Sequence, residues 1–397
     1  MANMAHVTLA LLLDVIRIIK DKGDKAIEAA VEAAALIAYR NGYGAALKDL
    51  QVSPTTKEEA EGDGMPVHDI TNPIVRDFLK LLPVGGYAQN DLSRTWYYYK
   101  YVRDSHSKNM ADRGNPYLVF ITGDSLTLEC EGEPTQTILP GYKVFECYNL
   151  LPKKTYHWSV TKDGKIVKEG CFKTIGDVRM INTKTWPNVR DIGYGNILKF
   201  NKVLSGANPD NVEVGSDEYN FIKSLNIDFQ LNLRTPKADS VMDQSWRADI
   251  FPDGKNINIS AYSQALTNVM GWKSAITTLI TELDKGHRVA FNCFAGADRT
   301  GTFRYILQGI CCVPKHIAQG FWEMTSFLYW ENFKMWDIEE SSGGELRTFD
   351  KKLEALYGKD FYTQCYKFLT KKVGVTDAQI KKLQGHLMVD PSSAPNI

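Results

Sequence analysis

The chain has 397 residues, of which 44% are hydrophobic and 24% charged, a composition typical of soluble proteins with more than one domain. Lysines plus arginines equal aspartates plus glutamates at 47 each, so no overall charge attracts nucleic acid or an anionic membrane. We therefore expect no nucleic-acid partner, and recognition of an anion must come from a local arrangement of residues.

The N-terminal residues predict helices followed by a linker. Residues 1–52 contain two apolar segments of helical period, each closed by glycine, and predict a helical hairpin. The polar, acidic residues 53–64 predict a linker. Asp14 and Arg17 interrupt the first apolar segment, which favours an amphipathic helix over a signal peptide or a membrane span. We expect a cytoplasmic protein if the chain is complete, and a periplasmic or secreted one if a leader has been removed.

Residues 65–176 predict a small β-sandwich domain with an N-terminal extension. Short strand-like runs precede "TYHWSVTKDGKIVKEGCFKT", in which Asp-Gly between alternating segments predicts a hairpin. With the preceding "NLLPKK", this hairpin resembles the closing hairpin of fibronectin type III domains, which implies a spacing or binding role. The upstream aromatic cluster "RTWYYYKYV" leaves two interpretations open, a protein or glycan contact and packing within the domain.

Residues 177–390 predict an α/β domain. Strand-like runs such as "IDFQLNLRT" and "HRVAFNC" alternate with helix-like segments such as "NVMGWKSAITTLITELDKG". This alternation predicts a mostly parallel sheet flanked by helices, whose ligands bind beyond the carboxyl ends of the strands. Cys293 lies at the carboxyl end of one such strand.

The stretch "CFAGADRTG" concentrates residue types that bind and attack a phosphate. A loop that opens a helix can turn its backbone N–H groups toward an anion, and Gly296 permits a conformation that side chains disfavour. Arg299 can hold two phosphate oxygens, and the helix dipole favours the nucleophilic thiolate of Cys293. We expect the Thr300 hydroxyl to bond the sulfur. The predicted phosphate-binding loop comprises Phe294, Ala295, Gly296, Ala297, Thr300 and Gly301, around the catalytic candidates Cys293, Asp298 and Arg299.

An inert buried cysteine and a rhodanese-type loop are the alternatives, but the Arg-Thr-Gly ending fits phosphatases better. The stretch resembles the signature loop of bacterial cysteine-dependent protein tyrosine and dual-specificity phosphatases. Upstream, "NVRDIGYG" matches the family's Asn-x-Arg-Asp-x-Gly motif, and "LNLRTP" matches its Asp-Leu-Arg motif in part. The resemblance implies phosphomonoester hydrolysis through a cysteinyl-phosphate, with no cofactor and no metal. Four residues of these motifs are expected to support the site: Arg190, Asp191, Asn232 and Arg234.

Three positions depart from the family pattern. Asn292 replaces a usual histidine, and Asn232 replaces the aspartate of Asp-Leu-Arg. Ala297 stands where a lysine often favours polyanionic lipid headgroups, which argues against phosphoinositides. The departures keep open a second hypothesis, a phosphate-binding pseudophosphatase with little turnover.

The general acid is not evident from the sequence. The segment "INISAYSQALTNVMGWKS", where many dual-specificity enzymes carry it, has no carboxylate. Asp298, Asp191 and Asp239 are the candidates, and we take Asp298, whose equal alternative is a structural role with loop N–H groups, Arg190 or Arg234. We expect a phosphotyrosine protein as substrate, with inositol phosphate or another small phosphoester as the alternative. Phe294 and aromatic residues of "GFWEMTSFLYWENF" either wall the cleft or pack between helices.

Overall fold

The computed structural model describes residues 65–71, 73–80, 116–141, 144–181, 183, 185–234, 246–328 and 345–395. The predicted N-terminal hairpin, the linker, the aromatic cluster and Asp239 lie outside these residues. Contacts divide the chain into two compact units, one built mainly on residues 115–148 and 153–175 and the other on residues 176–397. Among the described residues, no helix is both long and apolar enough to cross a membrane.

The described part of the first unit is built from β-strands. A five-stranded sheet has the order β1-β7-β6-β3-β4, and a separate antiparallel pair joins β2 to β5. The strands are β1 (Val67–Asp69), β2 (Tyr117–Val119), β3 (Ser125–Cys130), β4 (Gln136–Ile138), β5 (Phe145–Cys147), β6 (Thr155–Lys162) and β7 (Lys165–Ile175).

The hairpin predicted at Asp-Gly is confirmed. β6 and β7 are antiparallel neighbours, and Asp163 and Gly164 between them have φ angles of 51° and 74°, as a tight two-residue hairpin turn requires. The ring of Tyr117 on β2 stacks on Phe172 of β7 with centroids 3.7 Å apart. The fibronectin type III resemblance and the boundary at residue 176 stay predictions.

The second unit contains a five-stranded sheet with helices around it. Its elements are α1 (Pro73–Lys80), β8 (Arg190–Asp191), β9 (Val203–Gly206), α2 (Asp217–Ser224), β10 (Phe229–Asn232), β11 (Asp253–Asn256), α3 (Gln264–Thr267), α4 (Trp272–Asp284), β12 (Val289–Asn292), α5 (Arg299–Ile310), α6 (Lys315–Glu323), α7 (Thr325–Leu328), α8 (Glu345–Tyr357), α9 (Phe361–Lys367), a π-helical turn (Phe368–Val373), α10 (Asp377–Leu387) and a 3₁₀ turn (Pro391–Ser393). The strand order is β11-β10-β12-β9-β8, and only β8 runs antiparallel to its neighbour within this sheet. The predicted mostly parallel sheet is confirmed.

Helix α5 lies at the centre of this unit. Its residues from Thr300 to Ile310 are all buried, and the ring of Phe303 meets Phe291 of β12 at 5.1 Å. On the sheet, Asn292 pairs in register with Asn232 of β10 and with Gly206 of β9. Three strands therefore end at the same level, and the residues that follow them gather at one edge of the sheet.

Candidate active site

The loop between β12 and α5 turns two peptide carbonyls away from its interior. The backbone N–H of Asn208 donates to the carbonyl of Phe294 over 3.0 Å, and the side-chain amide of Asn188 donates to the carbonyl of Ala295 over 2.9 Å. Because a trans peptide carries its N–H opposite its C=O, the N–H groups of Ala295 and Gly296 point the other way. They are therefore available to an anion held inside the loop, beside the N-terminus of α5.

Gly296 holds the loop against the end of β9. Its φ angle is 68°, in the left-handed region that favours glycine. A Cβ atom there would lie 2.4 Å from the carbonyl carbon of Gly206 and 2.6 Å from the nitrogen of Ala207. Any side chain at position 296 would therefore push the loop off the sheet.

Cys293 follows β12 directly and is 3% exposed. The expected bond from Thr300 to its sulfur is not formed, so that prediction was wrong. The Thr300 hydroxyl is buried and has no hydrogen-bond partner in the described part of the chain. Since α5 begins at Arg299, Thr300 already has a helical backbone, which restricts the rotamers open to its hydroxyl.

Arg299 is held at the edge of the loop by one nitrogen. Its Nη1 donates to the carbonyl of Leu233 and to Oδ1 of Asn258, both over 3.2 Å. Within the described ranges, Nε and Nη2 make no hydrogen bond to protein, so the guanidinium keeps donors for a phosphate oxygen.

The side chain of Asp298 accepts a hydrogen bond from a buried tyrosine. The hydroxyl of Tyr262 donates to Oδ1 of Asp298 over 2.6 Å, and the indole N–H of Trp322 donates to that hydroxyl over 3.2 Å. Burial, followed by the adjacent Asp298, raises the pKa of Tyr262 well above its usual range, so the hydroxyl keeps its proton. Tyr262 belongs to the segment without a carboxylate, and its contribution to the site was not predicted.

Comparison with protein families places this site in a known group. The model of the tyrosine phosphatase family matches residues 181–389, more than half of the chain, and these residues include Cys293, Asp298 and Arg299. The chain belongs to the tyrosine phosphatase family. It is therefore a hydrolase of the phosphatase type with phosphorylated substrates. Comparison with curated proteins gave no match.

The two charged residues of the phosphatase's "NVRDIGYG" segment point to opposite faces of the sheet, as neighbours in a strand do. Asp191 accepts the N–H groups of Gly193 and Asn201 over 2.9 and 2.6 Å and lies 3.5 Å from Arg179. Burial raises the pKa of Asp191, and Arg179 opposes that rise. Asp191 therefore braces the turn after β8. Its hydrogen bonds within the described ranges do not reach the phosphate-binding loop, so the support expected of it is not a direct contact.

Arg190 is completely buried and does not bond Asp298. Its Nη2 donates to the hydroxyl of Thr325 over 2.9 Å, and burial lowers its pKa well below the usual range, with a further contribution from Arg304. In this motif, Asn188 is the residue that contacts the phosphate-binding loop, through the carbonyl of Ala295. The sequence match to the motif could have identified it as a site residue.

Amides and one ion pair connect the ends of β10 and β12. The Gln230 amide donates to Oδ1 of Asn292 over 2.8 Å, and Nδ2 of Asn292 donates to Oδ1 of Asn232 over 3.4 Å. Asn232 also accepts Nε of Arg234 over 2.9 Å, and Arg234 holds both carboxylate oxygens of Asp210, over 2.6 and 3.1 Å.

Asp210 was not predicted as a site residue. It lies in the segment "GANPDN" that follows β9, and the amide of Asn208 also donates to it over 2.7 Å. Ligands of a parallel sheet bind beyond the carboxyl ends of its strands, and this segment, like Cys293, follows such an end. Asp210 therefore belongs to the edge of the phosphatase site.

The aromatic residues divide between cleft and core. Phe294 is 44% exposed on the phosphate-binding loop, where its ring can contact a bound substrate. Phe321 and Trp322 are buried, and Trp322 packs so closely on Gly301 that a Cβ atom there would lie 2.8 Å from its ring. Phe321 therefore packs between helices, whereas Trp322 both packs there and donates to Tyr262. The residues after 328 in that stretch lie outside the described part of the chain.

Proposed function

We propose that the protein hydrolyses phosphotyrosine in protein substrates through a cysteinyl-phosphate intermediate. The observation that carries the proposal is the loop geometry: inward N–H groups of Ala295 and Gly296 surround the position in front of Cys293. The donors that remain on Arg299 complete the set of groups that a phosphate dianion needs. A core cysteine without a chemical role would need none of these donors.

In the first step, the thiolate of Cys293 attacks phosphorus in line with the phenolic leaving group. A sulfur–phosphorus bond forms while the phosphorus–oxygen bond to the tyrosine breaks. The loop N–H groups and Arg299 stabilise the charge on the equatorial oxygens. Asp298 gives its proton to the departing phenoxide, and Tyr262 holds the carboxyl group in position for that transfer.

In the second step, Asp298 takes a proton from a water molecule, whose oxygen attacks the phosphorus of the cysteinyl-phosphate. The sulfur–phosphorus bond breaks, inorganic phosphate leaves, and Cys293 returns to the thiolate. Tyr262 donates to the ionised carboxylate of Asp298 at the start of this step. The same residue is thereby acid and base in turn.

The preference for phosphotyrosine is supported by Phe294. Its exposed ring at the edge of the loop offers an aromatic wall for a phenyl phosphate. Ala297, which is buried, adds no cation for a second phosphate group, and this supports a monoester over a polyphosphorylated headgroup.

Hydrolysis of a chromogenic aryl phosphate from about pH 5 to about pH 8, with chelator present, tests the proposal. We expect activity in the intact chain, none in Cys293→Ser, and unchanged activity in the matched control Cys312→Ser. Asp298→Asn should lower kcat by roughly 10²- to 10⁴-fold. Absence of turnover in the reduced wild-type protein, with binding of a phosphotyrosine peptide, would instead identify a pseudophosphatase.

A further inference from the structure

Two arginines beneath the phosphate-binding loop are buried without an acidic partner among the described residues. Arg304 of α5 is 1% exposed, and its guanidinium donates to the hydroxyl of Ser205 over 2.9 Å and to the carbonyl of Phe321 over 3.2 Å. Arg190 of β8 is 0% exposed, and its Nε and Nη1 have no partner in the described ranges. A buried charge without a countercharge lowers stability, so the two arginines call for a role beyond folding.

Both arginines lie on the face of the sheet that α5 covers. Arg190 pairs in register with Ser205 of β9, and Ser205 pairs with Phe291 of β12. Residues opposed in register point to the same face. Phe291 contacts Phe303 of α5, so this is the α5 face, and Arg304 reaches it from the helix to bond Ser205.

Cys293 belongs to the same layer. It follows Phe291 by two residues, which continues the side-chain alternation of β12, and it packs in the same buried cluster as Phe291 and Phe303. Burial lowers the pKa of Arg304 to about 9, and the charge of the Cys293 thiolate opposes that shift. Arg304 therefore carries its proton at neutral pH and acts electrostatically on the sulfur.

The other charged groups around this layer do not cancel the two arginines. Arg299 adds a third positive charge at the start of α5. Asp298 is engaged by Tyr262, and Asp210 is engaged by Arg234. Glu323 of α6 is buried and bonds neither Arg190 nor Arg304 in the described part of the chain. Glu345 of α8 acts electrostatically on Tyr262 and bonds neither arginine within the described ranges.

We propose that Arg304 and Arg190 are positioning residues that stabilise the Cys293 thiolate from beneath the phosphate-binding loop. They supply the positive charge that the resemblance to the family motif would place on a histidine at position 292. Asn292 cannot supply it, because an amide is neutral at every working pH and this one is bonded to Gln230 and Asn232. The proposal rests on the proposed function, in which Cys293 is the nucleophile.

Alkylation of Cys293 by iodoacetamide, followed peptide by peptide in the full chain as a function of pH, tests the proposal. Arg304→Met should move the midpoint of the alkylation profile to higher pH and lower the rate at about pH 6 roughly tenfold, the equivalent of one pH unit. Arg304→Lys keeps the charge and should recover most of the rate. Arg288→Met, at the opposite end of β12, is the matched control and should leave the profile unchanged.

Arg190→Met supplies a second test, because only one hydrogen bond of that guanidinium is lost. We expect a higher midpoint for Cys293 and a free energy of unfolding equal to or above that of the wild type, since removal of an unpaired buried charge relieves its desolvation. A purely structural arginine would give the reverse, a less stable protein with an unchanged alkylation profile.

Three results would overturn the proposal. The first is a wild-type alkylation profile in Arg304→Met, or in Arg190→Met if the former does not fold. The second is a rate in Arg304→Lys as low as in Arg304→Met. The third is an Arg190→Met protein that is less stable than the wild type and has an unchanged alkylation profile. Turnover that disappears in Cys293→Ser establishes the proposed function separately, so an unchanged alkylation profile in an active enzyme refutes only the role of the arginines.

Discussion

Asn232 and Asn292 lie directly opposite each other at the carboxyl ends of β10 and β12, and the amide of Asn292 donates to Oδ1 of Asn232 over 3.4 Å. The family motifs that the sequence resembles imply aspartate and histidine at these two positions. The two departures from the family pattern are therefore one change at one contact, in which neutral amides replace an acid and a base.

We expect the two positions to be energetically coupled. Asn292→His alone places an imidazole against Gln230 and the neutral Asn232, and should lower the free energy of unfolding. Adding Asn232→Asp restores a hydrogen-bonded pair and should recover part of that loss, with a coupling energy of about 1 kcal/mol or more in urea unfolding. The control cycle pairs Asn292→His with Asn220→Asp, an exposed position on α2, and should be additive. Additive effects in the first cycle would show that the contact carries no such coupling.

Gly296→Ala should abolish activity while the fold persists. The left-handed backbone costs a non-glycine residue about 1–3 kcal/mol, and the new Cβ atom would overlap the backbone of Gly206 and Ala207. The loop must move off β9, which turns the N–H groups of Ala295 and Gly296 away from the phosphate. Turnover and the binding of vanadate measure the effect. Gly286→Ala, also at positive φ but with open space around it, is the control and should lower stability only.

The sequence predicted the parallel sheet, its central strands and the position of the loop between β12 and α5, because each depends on local pattern and chain order. Cys293, Gly296 and Arg299 are close along the chain, so their grouping needs no tertiary information. Tyr262 and Asp210 were missed because they reach the site only through the fold.

The unexpected direction of the Asp191 side chain has the same origin. The sequence shows two adjacent charges, Arg190 and Asp191, but not that a strand of two residues sends them to opposite faces. The Thr300 hydroxyl was assigned from its position after Arg299, whereas its direction depends on where α5 begins. Side-chain direction is decided by register and helix phase, which the fold determines.

Tyr262→Phe should impair the acid without disturbing phosphate binding. Loss of one hydrogen bond to a charged group corresponds to roughly tenfold in kcat, with KM nearly unchanged. Tyr305→Phe is the matched control, because Tyr305 donates to Asp350 over 2.8 Å in the same unit. If Tyr262→Phe and Tyr305→Phe lost the same fraction of kcat, the loss would come from lower stability and not from the contact of Tyr262 with Asp298.

Asp210→Asn should lower kcat far less than Asp298→Asn. The two oxygens of Asp210 are held by Arg234 and by the amide of Asn208, which leaves this carboxyl as a support for Arg234 rather than a proton donor. We expect the loss in Asp210→Asn to be mainly in stability, and Arg234→Lys to reproduce it. A loss of activity in Asp210→Asn as large as that in Asp298→Asn, with a changed pH profile, would identify Asp210 as the general acid.

The buried carboxyl of Asp350 should make the stability of the protein depend on pH. Its carboxyl is buried on α8, where Tyr305 donates to it over 2.8 Å and Lys315 lies 2.7 Å away. Burial raises the pKa of Asp350, and Lys315 only opposes that rise. A raised pKa in the folded state stabilises the fold below the unfolded-state pKa of about 4, and this contribution is lost as the pH rises through the folded-state value.

The stability of Asp350→Asn relative to the wild type should therefore increase as the pH rises above about 4. The contacts of the carboxyl with Tyr305 and Lys315 both go to one oxygen, Oδ1, and an asparagine can keep that oxygen in place. Thermal unfolding of the two proteins at a series of pH values measures the difference. Lys315→Met removes the opposing charge and should enlarge the loss of stability on raising the pH. If the wild type instead became more stable relative to Asp350→Asn as the pH rises, the ion pair with Lys315 would outweigh the effect of burial.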